Sequence, residues 1–176
     1  MTSTAQDTEL DRTLDGLGYQ SVALTSVQTA SLERPLGEID GAVAVSTRLT
    51  EQWFADFNRL TVTPESLQPS ERRLLERIAF PHAFGSLAVD GQTVALGLAV
   101  HERDHVGLFD VVVDYHHRNQ GLGRRLCLAL LGWAQHHGAH TAYLAVMADN
   151  AAALHLYDRL SFREVYRYWY RCAQAS

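Results

Sequence analysis

The sequence predicts a chain of mixed helices and strands, of the α/β (α+β) class. Stretches with helical apolar spacing alternate with short β-prone runs along its 176 residues. Asp90-Gly91 separates two apolar, β-prone runs, the strongest short-range hairpin signal in the chain. A third β-prone run, 106–114, passes through a glycine-containing turn into a long amphipathic stretch.

Each element follows from its residues. Leu10, Leu14 and Leu17 recur at helical spacing within 4–18, and Gly18 is a stop signal. Residues 19–27 are β-prone. Residues 32–41, with Pro35 and two glycines, read as a connector, and 42–45 as a short edge strand. Thr50 is placed to cap a helix carrying Trp53, Phe54, Phe57 and Leu60, whose aromatic residues are expected in the core. A second helix is expected from near Pro64, ending before Pro81. The hairpin strands are 84–89 and 92–101. Leu122, Leu126, Ala129, Leu130 and Trp133 form one helical stripe that Gly138 ends. A strand over 142–147, a helix capped by Asp149 or Asn150 and a strand over 162–170 complete the chain. Residues 14–27 align weakly with 157–170, sharing Asp, Leu, an aromatic residue and Val. Chance and a relic of a second copy explain this equally well. The expected organisation is an appendage at 1–40 and a main domain at 41–176.

Composition excludes several function classes. Acidic residues outnumber basic ones, 20 to 15, so no general basic field exists to hold nucleic acid. No apolar run approaches the roughly 18 residues of a membrane span. The polar, acidic start is not a secretory signal, and Cys127 and Cys172 make no disulfide framework. A cytoplasmic location is the expectation. No metal site is expected. His116-His117 and His136-His137 lack ligand spacing, and Gly138 interrupts the helix between His136 and His140.

The informative unit is the strand at 106–114, then Arg118-x-x-Gly121-x-Gly123, then a helix. A helix start offers unpaired N–H groups and a dipole that favours anions. Two glycines let a phosphate approach the main chain. Arg124 and Arg125 oppose the helix dipole, and a bound anion would explain them. The Gly-Lys-Ser/Thr of a nucleotide P-loop is absent, and Leu126 stands where a dinucleotide fingerprint needs its third glycine.

The runs FDVVVDYHHRNQGLGRRL (109–126) and MADNAAALHLYDRLSF (147–162) resemble the core of the GNAT superfamily, nearest in motif to its ribosomal-protein alanine acetyltransferase type. The resemblance implies a mixed twisted sheet flanked by helices, here with an extra N-terminal helix–strand segment. It also implies an acetyl-CoA-dependent N-acetyltransferase acting on a primary amine of a small molecule or protein N-terminus. The main chain of Val111 and Val113 would pair with the pantetheine arm. Arg118, Asn119, Gln120, Gly121, Leu122, Gly123 and Arg124 would wrap the pyrophosphate. Asn150 would touch the cofactor, and Tyr157 would protonate the departing thiolate.

The chain departs from the family pattern at its general base. Gly107 and Ala145 stand where related proteins carry Glu. Asp110 is the first substitute, with Glu102 and His101 behind it. In strict alternation Asp110 faces away from residues 109 and 111, so a sheet-stabilising role competes with catalysis. The missing carboxylates leave a second function open, a non-catalytic acyl-CoA-binding or assembly module. Ser161 replaces the usual Gly before Phe162, which implies a slightly altered turn and no lost chemistry. Residues 19–27 are expected to fill the last sheet position, in this chain or a partner's. Homodimers, common in the superfamily, are a further expectation.

Overall fold

A computed structural model describes residues 8–34, 36 and 41–173. Along these residues run α1 (Thr8–Gly16), β1 (Gln20–Ser31), β2 (Val43–Ser46), α2 (Glu51–Thr61), α3 (Gln68–Glu76), β3 (His82–Val89), β4 (Gln92–Glu102) and β5 (His105–Val113). A single 3-10 turn at Tyr115–His117 leads to α4 (Leu122–His136), β6 (Thr141–Met147), α5 (Ala151–Asp158) and β7 (Arg163–Cys172). Residues 4–7 of the expected first helix, and 35 and 37–40 of the connector, lie outside the described residues. Among the described residues no helix is long and apolar enough to cross a membrane. The chain divides into two compact units, one of Ala30–Tyr143, the other of the residues up to Thr29 and from Leu144 on. This division is discontinuous in sequence.

In the unit Ala30–Tyr143, β2, β3, β4 and β5 pair antiparallel in sequence order, and β6 joins β5 in parallel, so the sheet is mixed. Asp90 and Gly91 both take positive φ, 51° and 78°, the geometry a two-residue hairpin needs. One face carries α2 and α3. Trp53, Phe54, Phe57 and Leu75 pack there against Phe84, Leu96 and Leu98, as expected of the core aromatics. Thr50 fixes the start of α2 by accepting from the Trp53 N–H at 3.1 Å. The helix expected from Pro64 begins later, at Gln68. The Pro64 carbonyl instead closes a turn by accepting from the Leu67 N–H at 2.9 Å.

The opposite face carries α4. Leu126 and Leu130 are fully buried, each contributing about 1.5–3 kcal/mol of apolar burial. A Cβ at Gly97 would stand 3.0 Å from Leu130 Cδ1, so the missing side chain lets α4 approach β4 closely.

In the other unit β1 lies between β6 and β7 and pairs antiparallel with β7, from Gln20 opposite Cys172 to Thr29 opposite Arg163. The expected sheet position is therefore filled by this same chain. Asp11 ties α1 to β7. It accepts from Trp169 Nε1 and Arg171 Nε, each at 2.8 Å, and Asp15 accepts from Arg171 at 2.6 Å. The hydrogen bonds from Arg171 and then Trp169 hold the Asp11 pKa down to about 2.

The two helix–strand turns of this unit match in detail. Gly18 and Ser161 both take positive φ, 84° and 65°. The Gly18 N–H reaches the Asp15 carbonyl and the Ser161 N–H the Asp158 carbonyl, both at 2.9 Å. One residue on, Tyr19 N–H bonds Leu14 O and Phe162 N–H bonds Tyr157 O, both at 3.0 Å. These are the positions that align in the sequence repeat. Ser161 thus makes the same turn bonds as Gly18 and occupies a conformation that favours glycine.

Candidate active site

The unit Ala30–Tyr143 gathers most of the expected site residues along β5 and the loop that follows it. Leu96 pairs with Val112 and Leu98 with Phe109, so Asp110 and Val111 together oppose the single residue Gly97. This is a β-bulge, with Asp110 at φ 52°. It overturns the strict alternation expected for Asp110. The Asp110 side chain reaches water, yet the surrounding protein removes part of its hydration. That desolvation, and then the charge of Glu71 on α3, push its pKa up.

The two alternative bases separate. Glu102 alternates onto the face of Leu96 and Leu98, and its charge, after desolvation, raises the Tyr143 pKa. His101 alternates with Gly97 onto the α4 face, and its Nε2 is buried without a partner among the described residues. His101 therefore does not share the face of Glu102.

The ladder between β5 and β6 runs only from His105–Thr141 to Gly107–Tyr143. Beyond Gly107, that edge of β5 has no ladder partner among the described residues. The edge contains Val111 and Val113. Its main-chain groups lack strand partners, although the Val113 carbonyl accepts from Arg118 Nε at 3.3 Å.

The loop after β5 is held by short-range hydrogen bonds at its start and leaves main-chain donors open at its end. Asp114 opens it, its Oδ1 accepting from the His116 N–H at 2.9 Å and facing His117 Nδ1 at 3.3 Å. These contacts lower the Asp114 pKa, the main-chain bond first. Arg118 folds back, its Nε 3.3 Å from the Val113 carbonyl and its guanidinium 5.3 Å from the Tyr115 ring centre. Asn119 and Gly121 take φ values of 60° and 78°. Gly121 caps α4 without a side-chain bond. The main-chain N–H groups of residues 119–124 find no acceptor among the described residues, whereas those of Arg118 and Arg125 do. A Cβ at Gly121 would touch nothing, so glycine serves the backbone angle there and not a close contact within the chain. Leu122 and Gly123 are buried, and Arg124 is exposed.

Asn150 and Tyr157 belong to the other unit. Asn150 caps α5, accepting from the Ala153 N–H at 3.1 Å, so its carbonyl oxygen is already engaged. The Tyr157 ring is buried edge-on against Phe162, centres 5.7 Å apart. The sequence reading missed the contribution of Phe109 and Tyr143, whose rings meet at 87° with centres 6.1 Å apart. A Cβ on Gly107 would lie 2.7 Å from each ring's Cζ.

The family model described as the acetyltransferase (GNAT) family matches residues 47–162, which contain the bulge, the loop and α4. This chain belongs to the GNAT family.

Among curated GNAT relatives, it is 28% identical over 119 residues to the uncharacterized N-acetyltransferase YobR of Bacillus subtilis, covering 68% of this chain and 48% of that protein. It is 37% identical over 78 residues to the [ribosomal protein bS18]-alanine N-acetyltransferase of Escherichia coli, covering 44% of this chain and 53% of that protein. The chain thus spans about half the length of these relatives. The crystal structure of the Escherichia coli ribosomal-protein-S18-alanine N-acetyltransferase superposes with a TM-score of 0.58 at 27% identity, over 70% of this chain and 79% of that one. A GCN5-related N-acetyltransferase from Sphaerobacter thermophilus shares the fold at TM-score 0.74 and 19% identity, over 94% of this chain and 56% of that one.

Proposed function

We propose that the protein is an acetyl-CoA-dependent N-acetyltransferase that acetylates a primary amine. The observation that carries this is the run of main-chain N–H groups at 119–124, without acceptors in the described structure, at the start of a 15-residue helix. A pyrophosphate satisfies such groups and meets the favourable end of the helix dipole. Arg118, Asn119, Gln120, Gly121, Leu122, Gly123 and Arg124 would hold it. The open edge at Val111 and Val113 suits the amide-bearing pantetheine arm, and the free donor of the Asn150 amide suits a further polar contact. Bound acetyl-CoA would supply a thioester carbonyl.

The chain's residues supply the proton handling. An alkylammonium has a pKa of about 10.4 and must lose its proton before it attacks. The Asp110 carboxylate, made more basic by desolvation and Glu71, accepts that proton. The amine nitrogen then bonds to the acetyl carbon, the carbon–sulfur bond breaks with its electron pair on sulfur, and the nitrogen sheds its second proton to water to leave the neutral amide. Tyr157 donates a proton to the thiolate and regains one from water. The Thr141–Met147 strand carries no carboxylate, so Asp110 carries the base role in this reading.

One observation favours a second reading, a non-catalytic acyl-CoA-binding module. The Phe109 ring occupies the space above Gly107, and no carboxylate stands there. Thiol release from acetyl-CoA, followed over a panel of amines and peptides, separates the two. Release with any amine supports the enzyme, and tight coenzyme A binding with no release across the panel supports the module.

A further inference from the structure

We propose that Phe109 and Tyr143 form the acceptor platform, selecting a primary amine borne on an apolar or aromatic body. This rests on the acetyltransferase reading and adds the class of its second substrate. Phe109 and Tyr143 belong to the same compact unit, on neighbouring strands, and are 41% and 36% exposed. Large aromatic side chains left this open are a ready apolar contact for a ligand. Their edge-to-face contact and the absent side chain at Gly107 fix the rings in place.

The surrounding charge determines what such a contact accepts. Asp110 follows Phe109 directly, Glu71 acts on Asp110, and Glu102 acts on Tyr143. None of these three carboxylates forms an ion pair among the described residues. Among the described residues, unpaired negative charge thus acts on Tyr143 and stands at Asp110, the chain neighbour of Phe109. An ammonium is attracted by the carboxylates and by the ring faces, while an anionic acceptor is repelled. The adjacency of Phe109 to Asp110 brings a cation held on the ring to the residue that deprotonates it.

The probe is phenyltrimethylammonium, a permanent cation on an aromatic body that cannot be acetylated. It is titrated by calorimetry into the full chain saturated with coenzyme A. Phe109→Leu, which keeps an apolar side chain and removes the ring, is expected to weaken binding about three- to thirtyfold. Phe109→Trp is expected to retain it. Gly107→Ala, whose methyl displaces the Phe109 ring, is expected to weaken it with both rings still present. Equal affinity in wild type and Phe109→Leu overturns the platform. So does equal affinity for the neutral benzyl alcohol. Wild-type protein that takes coenzyme A and ignores the probe overturns the platform alone. Loss of the coenzyme A heat as well overturns the acetyltransferase reading, and the platform with it.

Discussion

Gly97 on β4 faces two residues of β5, and one of them, Asp110, takes a left-handed backbone angle. The missing side chain lets α4 seat on the sheet behind it, and the bulge turns Asp110 out of the strand's alternation. A packing feature on one face thus accompanies a desolvated carboxylate on the strand that leads to the loop before α4.

Asp110→Asn should lower kcat by about two to four orders of magnitude, the range for loss of a general base. Wild-type activity should rise with pH through a pKa raised from the usual Asp value and then level off. The variant should lose that step in its pH–rate profile. An unchanged profile assigns the base elsewhere.

The same substitution should stabilise the fold at neutral pH. A carboxyl whose pKa is raised on folding favours the native state only while protonated. That contribution is lost as pH rises through the raised pKa. Thermal midpoints should therefore favour Asp110→Asn above that pKa and converge with wild type in acid. Asn also tolerates the left-handed angle, so backbone strain does not confuse the comparison.

Asp11 has the opposite sign. Its pKa is held down to about 2, so its stabilisation is present above the ordinary Asp pKa and disappears as pH falls towards 2. Hydrogen exchange in α1 and β7 should accelerate over that window, and Asp11→Asn should show the fast exchange already at neutral pH.

Ser161→Gly should raise stability by about 1 kcal/mol, the cost of a left-handed angle for a residue with a side chain. Chemical denaturation measures this. Gly18→Ala should cost a similar amount, because its turn makes the same bonds.

Tyr157→Phe keeps the buried ring against Phe162 and removes the hydroxyl. Turnover should fall with coenzyme A affinity nearly unchanged. A rate equal to wild type would remove its role as acid.

Much of this was legible in the residues. Thr50, Asp90-Gly91 and Gly138 marked boundaries because each supplies a cap or an angle that its neighbours cannot. The loop at 118–124 was legible because glycines and arginines at a helix start need a reason. The bulge was not. Nothing in FDVVV signals that Asp110 leaves the alternation, since Asp is one of several residues that tolerate its angle and the bulge is defined by pairing across the ladder with Gly97. The face of His101 and the pairing of Phe109 with Tyr143 also depend on contacts distant in sequence. The helix expected from Pro64 shifted because Pro64 closes a turn before the helix begins.

The most direct test of the central claim is calorimetric titration of coenzyme A into purified protein stripped of bound ligand, alongside Gly121→Ala. The expected result is saturable one-to-one binding by the wild type, weakened at least about tenfold when the left-handed glycine that opens α4 is replaced. Absence of any binding heat in wild-type protein, with native folding verified in the same sample, would contradict the account.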